Sequence, residues 1–166
     1  MFKSLLLISL LFIYCSREAR AQTSAEKLCE IPIKTRFKQI PSNAITNETV
    51  SIENLTIPSL WWAIEQFDPF YGQFAERWAA YPEEKRIDLA VNRQLWALLD
   101  YAQRYSYLNH IGAVAREYQY NLRIVTFPKQ CLATYTCENL EDLGEDCSIH
   151  IDSLGLAGLE LEKRKK

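Results

Sequence analysis

From Pro58 onward, apolar and polar residues alternate in two distinct rhythms. Leu60, Ile64 and Phe67 recur at helical spacing behind Ser59, a residue type that caps helix starts, and Asp68-Pro69 ends the run. Phe70, Phe74, Trp78 and Tyr81 continue at intervals of three and four, which predicts a second helix from about Tyr71 to Ala80, stopped by Pro82. After the charged turn Glu83-Glu84-Lys85, the segment Arg86 to Val91 reads as a short apolar strand. The longest periodic stretch runs from about Gln94 to Tyr118. Leu98, Tyr101, Tyr105, Leu108, Ile111 and Ala115 share one face, Asn92 stands ready to cap, and Asn109-His110-Ile111-Gly112 is the expected site of a kink. Three strands follow: Tyr120–Phe127, Cys131–Cys137 and Ser148–Asp152.

The order helix, helix, strand, helix, strand, strand, strand predicts an α+β fold. A small mixed sheet contains one strand-helix-strand crossover, which makes two strands parallel, and then an antiparallel meander. Two N-terminal helices pack against it, with the helices expected on one face.

Ahead of Pro58 the chain changes character. Lys3 gives a positive start, Leu5 to Tyr14 is an apolar run of ten, and Ala19-Arg20-Ala21 fits the small-x-small rule. We read residues 1–21 as a cleavable signal peptide, too short to span a bilayer as a helix, which needs about 20 apolar residues. Cys15 follows Tyr14, where a lipobox needs a small side chain. Residues 22–57 read as a polar extended arm with one short strand, 58–153 as a single domain, and 154–166 as a basic tail. Asn47-Glu48-Thr49 and Asn54-Leu55-Thr56 match the glycosylation sequon, which has meaning only in a host with the enzyme. No later stretch is long and apolar enough to span a membrane.

Cleavage would remove three of 19 basic and one of 21 acidic residues, leaving a net charge of −4. That balance opposes nonspecific nucleic-acid binding.

Four cysteines remain after the signal, an even number that points to disulfides in an exported chain. If Cys131–Cys137 is a strand, its ends lie about 20 Å apart. A disulfide needs Cα atoms within about 7 Å, so those two cannot pair. Cys137 with Cys147 is therefore expected to staple the acidic loop between them. Cys29 and Cys131 form the leftover pair, with free thiols as the alternative. No metal spacing such as Cys-x-x-Cys or paired histidines occurs, and no cofactor motif is present.

Two segments, Ile57-Pro-Ser-Leu-Trp-Trp-Ala-Ile-Glu-Gln-Phe67 and Val91-Asn-Arg-Gln-Leu-Trp-Ala-Leu-Leu-Asp-Tyr101, the latter continuing to Tyr118, together with Leu132-Ala-Thr-Tyr-Thr-Cys137, carry a resemblance. The chain resembles a family of exported cyanobacterial proteins of unknown function, over about residues 57–152. The resemblance implies a host with a periplasm and a thylakoid lumen, and no assigned chemistry.

Candidate site residues fall into three groups. Glu65 and Asp68, three apart on a helix, could divide acid and base work beside a sugar-stacking surface of Trp61 and Trp62. Asn92, Arg93 and Gln94 sit where a strand runs into a helix N-terminus, a place suited to small anions, with His110 a further pocket candidate. Trp61, Trp62 and Trp78 belong to an aromatic surface. Seventeen of the twenty aromatic residues lie beyond the signal, and Trp and Tyr are enriched at interfaces. Ser148, His150 and Asp152 alternate along one strand face, so they stand in parallel where a catalytic triad must converge.

These observations point first to a non-enzymatic accessory domain that binds a protein partner or associates with itself. An envelope hydrolase using paired carboxylates and a small-anion binder are the alternatives.

Overall fold

The computed structural model describes residues 24–33, 40–49, 56–127, 130–141 and 147–152. Residues 1–21, expected to be a signal peptide, the second sequon's Asn54, the tail 154–166 and most of the acidic loop lie outside them.

A six-stranded open sheet forms the centre of an α+β fold. Its strands are β1 (Ile45–Thr46), β2 (Ala75–Tyr81), β3 (Arg86–Val91), β4 (Asn121–Thr126), β5 (Gln130–Cys137) and β6 (Cys147–Ile151), and they lie side by side in chain order. Every neighbouring pair is antiparallel except β3 and β4. The parallel pair is the expected crossover, because two helices carry the chain back between them. The helices are α1 (Ser24–Glu30), α2 (Trp61–Phe67), α3 (Arg93–Leu98) and α4 (Tyr101–Glu117).

Residue alternation sorts the two faces of the sheet. Trp78, Ala80, Ile87, Leu89, Val91, Leu122, Ile124 and Tyr135 join the main core with Leu60 and Ala63 of α2 and Leu108, Ile111 and Ala115 of α4. The opposite face carries Ala90 and Val125, packed with Ile33, and a row of buried polar residues: Arg86, Asp88, Arg123, Thr134 and Thr136.

Segment 71–80 is not a helix. Ala75–Tyr81 is β2, hydrogen-bonded to β3 and flanked by β1. Trp78 to Tyr81 are all buried, since the second half of this strand is covered on both faces. Such a strand shows no polar alternation, and its aromatic spacing imitates a helix.

The long helix breaks at Leu99–Asp100, not at Asn109–Gly112. Asp100 and Gln103 form a capping box, with Asp100 Oδ1 accepting from the Gln103 amide at 2.8 Å and Gln103 Oε1 from the Asp100 amide at 2.9 Å. Gly112 lies inside unbroken helix because α4 approaches β5 closely there. A Cβ on Gly112 would sit 2.3 Å from the Tyr135 ring.

Ser59 does not cap α2. Leu60 holds the cap position without any side-chain hydrogen bond, and it is buried outright.

Ser24–Glu30, within the segment read as an extended arm, forms α1, and β1 supplies the short strand expected there. Helix α1 crosses the face opposite α4, so helices lie on both faces. Two bonds hold it. Cys29 is joined to Cys131 of β5, and Arg123 Nη1 donates to the carbonyls of Leu28 and Ile31 at 2.8 and 2.5 Å. Those carbonyls lack helical partners at a helix end, so the arginine satisfies them. Cys137 is joined to Cys147, and both cysteine pairs match the expected pairing.

Among the described residues no helix is long and apolar enough to cross a membrane. Two disulfides together with that finding fit an exported protein.

Candidate functional site

An open cleft of about 360 Å³ lies between α2 and the first half of β2. Trp61, Ile64, Glu65 and Asp68 line it from the helix side, and Ala75, Glu76, Arg77 and Trp78 from the strand side. Gly72 and Asn47 also reach it.

The local sequence explains why this cleft exists. Leu60 and Ala63 bury one side of α2, which leaves Trp61 64% exposed and Trp62 37% exposed on the other. Phe67 then stacks on His110 of α4, with ring centroids 4.4 Å apart at 15°. Beyond Phe67, Asp68 turns the chain. Its Oδ1 accepts from the Phe70 amide at 2.7 Å and its Oδ2 from the Phe74 amide at 3.0 Å. Tyr71 and Gly72 have positive φ (54° and 84°), and the tight turn they make delivers the chain into β2. Tyr71 stands 99% exposed beside Gly72 at the rim.

The cleft brings together Glu65, Asp68, Trp61 and Trp78 from the residues singled out in the sequence. Trp78 is 6% exposed and belongs mostly to the core, so it contributes a wall and Trp61 contributes the accessible aromatic surface. The sequence marks Asn47 only as part of a sequon, and it does not single out Glu76 and Arg77. Reading 75–81 as a strand would have brought them forward, since Glu76 and Arg77 then lie on its exposed half.

Glu65 and Asp68 share the cleft but differ in freedom. Both Asp68 oxygens are occupied by backbone N–H groups, which is the work of a turn-forming residue. A general acid or base must exchange a proton with substrate, and Asp68 would have to release these amides to do so. Nearby, the Tyr107 hydroxyl is pushed far above the ordinary tyrosine range, first by burial and then by the negative charge of Asp68.

The other candidates lie elsewhere. Asn92 caps α3, accepting from the amides of Gln94 and Leu95 at 2.9 and 3.2 Å, and its own amide donates to the Phe74 carbonyl at 2.8 Å. Two of the N–H groups that an anion would need are thereby used. Arg93 and Gln94 are exposed. His110 Nδ1 lies 2.7 Å from the Ser106 carbonyl, so that nitrogen carries its proton and donates within the helix. Ser148 shares a 2.8 Å hydrogen bond with Thr136 on the next strand. Among the described residues no group of three or more metal-ligating side chains gathers.

A second exposed apolar group, Leu98, Tyr101 and Tyr105, lies along α3 and α4, with the two tyrosine rings 6.4 Å apart. It lines no described cleft.

No protein-family model matches this chain, and neither a curated protein nor a solved structure does.

Proposed function

We propose that this chain is an exported, non-enzymatic accessory domain that binds a protein partner through the cleft between α2 and β2. Its setting is the periplasm or the thylakoid lumen, after removal of residues 1–21. The observation that carries the reading is the placement of Trp61. A tryptophan 64% exposed, on the rim of a cleft whose wall is a buried tryptophan, is the arrangement of an interface anchor. The cleft volume falls in the range that seats a ligand or side-chain cluster, about 300–1,000 Å³. Asp68, held by backbone amides, argues for a shaped binding surface over a catalytic pair.

The test is affinity capture from the exported fraction of the host under oxidising conditions, with residues 22–166 as bait. Wild type, Trp61→Ala and Tyr105→Ala are compared. Recovery of a partner by wild type and Tyr105→Ala, lost with Trp61→Ala, supports the reading. A partner retained by Trp61→Ala, or no partner in any sample, contradicts it.

A further inference from the structure

The cleft has a second property besides its aromatic rim. It runs along a sheet edge that β1 leaves open. Strand β1 pairs with β2 only through Ile45↔Ala80 and Thr46↔Ala79. The chain then turns away. The Thr49 amide donates to the Thr46 carbonyl at 3.1 Å, and the Thr46 amide donates to the Thr49 hydroxyl at 2.9 Å. Ala75–Trp78 form the strand-side lining of the cleft, and the Ala75 amide donates to Asp68 Oδ2 at 3.4 Å. Among the described residues, the outer edge of Glu76–Trp78 has no strand beside it. Unpaired strand edges are templates for another strand.

The charge around this edge is uneven. Glu65, Asp68 and Glu76 face a single cation, Arg77, so the lining carries a net negative charge. Trp61 and Ile64 add apolar surface on the helix side. An extended segment laid against Glu76–Trp78 would present alternate side chains to opposite sides. Basic side chains would meet Glu65 and Glu76, and a cation would also gain from the tryptophan ring face.

We infer that the cleft binds an extended, basic segment of a partner polypeptide by strand addition to β2 at Glu76–Trp78, where no strand lies alongside among the described residues, with its Lys or Arg side chains held by Glu65 and Glu76. This rests on the proposed function and gives the partner a chemistry. A second copy of this chain is disfavoured as occupant, because it would bring the same negative lining to the same place. Charged residues on an edge also oppose self-pairing while leaving a complementary segment free to add.

The test uses the whole mature chain, ¹⁵N-labelled, with two blocked hexapeptides, Lys-Val-Lys-Val-Lys-Val and Glu-Val-Glu-Val-Glu-Val. The basic peptide alone is expected to shift the amides of Glu76–Trp78 and slow their hydrogen exchange. N-methylating alternate peptide residues should abolish binding for one alternate set and spare it for the other. Glu65→Lys should weaken the basic peptide about tenfold, as expected for one ion pair in a partly dry site.

Shifts at Trp61 and Glu65 with exchange at Glu76–Trp78 unchanged would overturn strand addition. Equal binding of both peptides would overturn the charge assignment. No binding of either peptide, or concentration-dependent edge shifts without peptide, would overturn the occupant. Each of these leaves partner capture through Trp61 intact, whereas capture insensitive to Trp61→Ala removes the underlying reading itself.

Discussion

Arg123 grips Asp88 with two parallel hydrogen bonds, Nε to Oδ1 at 2.8 Å and Nη2 to Oδ2 at 2.7 Å, between residues directly paired across β3 and β4. Arg86 shares the same carboxylate and reaches Glu84 at 2.6 Å. Burial opposes the Arg86 charge, but Asp88 and Glu84 more than offset this and hold its pKa above the ordinary value. Since Arg123 also holds the end of α1, one buried side chain links the crossover strands to the N-terminal helix.

Removing that link has a defined cost. Arg123→Met takes one partner from a buried ion pair and strands two helix-end carbonyls. The expected loss is about 3–5 kcal/mol. Chemical denaturation checks it, and hydrogen exchange should show α1 loosened before the sheet.

The disulfides should differ in weight. Cys29–Cys131 spans 102 residues and Cys137–Cys147 spans 10. Loop-closure entropy assigns the long bridge about 2 kcal/mol more than the short one. Melting curves of Cys29→Ser/Cys131→Ser and Cys137→Ser/Cys147→Ser test the order. The long-range pair is expected to lower Tm more.

Close packing of α4 on β5 sets the outcome at Gly112. Alanine improves most helix interiors, but its Cβ would meet Tyr135 at 2.3 Å. Gly112→Ala is expected to destabilise by about 1–3 kcal/mol, read from the denaturation midpoint.

Alkaline pH should expose the buried tyrosines. Burial, with Asp88 and Glu84 adding and Arg86 and Arg123 opposing, raises Tyr81 to about 12. A folded-state pKa above the unfolded value contributes stability that is complete below the ordinary tyrosine value near 10 and is lost as pH rises towards 12. Tyr107 is raised in the same direction. Absorbance titration at 295 nm should show a late phase that shrinks in Tyr81→Phe and Tyr107→Phe, together with falling stability above pH 10.

Much of this fold was readable because local signals agreed with the tertiary arrangement. The apolar run Ile87–Val91, the strands from Asn121 and Cys131, and the cysteine spacing all indicated their structural roles. Strand β2 was hidden because burial of Trp78–Tyr81 on both faces and exposure of Glu76 and Arg77 together erased its alternation. The break at Asp100 was marked by its capping partner Gln103, whereas Gly112 drew attention for a kink and instead serves close packing. Helix α1 buries only Ala25 and Leu28, too few for a helical stripe, and depends on Cys131 and Arg123 about a hundred residues away. At the site, Trp61, Glu65 and Asp68 were legible on their helix. Asn47, Glu76 and Arg77 enter only once β1 and β2 are paired.

The central claim, that partners are recognised at the α2–β2 cleft, is tested most directly by photocrosslinking in the host. A benzophenone amino acid replaces Glu65 in one strain, Arg77 in a second and Tyr105 in a third. Irradiation should join a partner to positions 65 and 77 and leave position 105 bare. Adducts at 105 alone, or none at any position, would contradict the account.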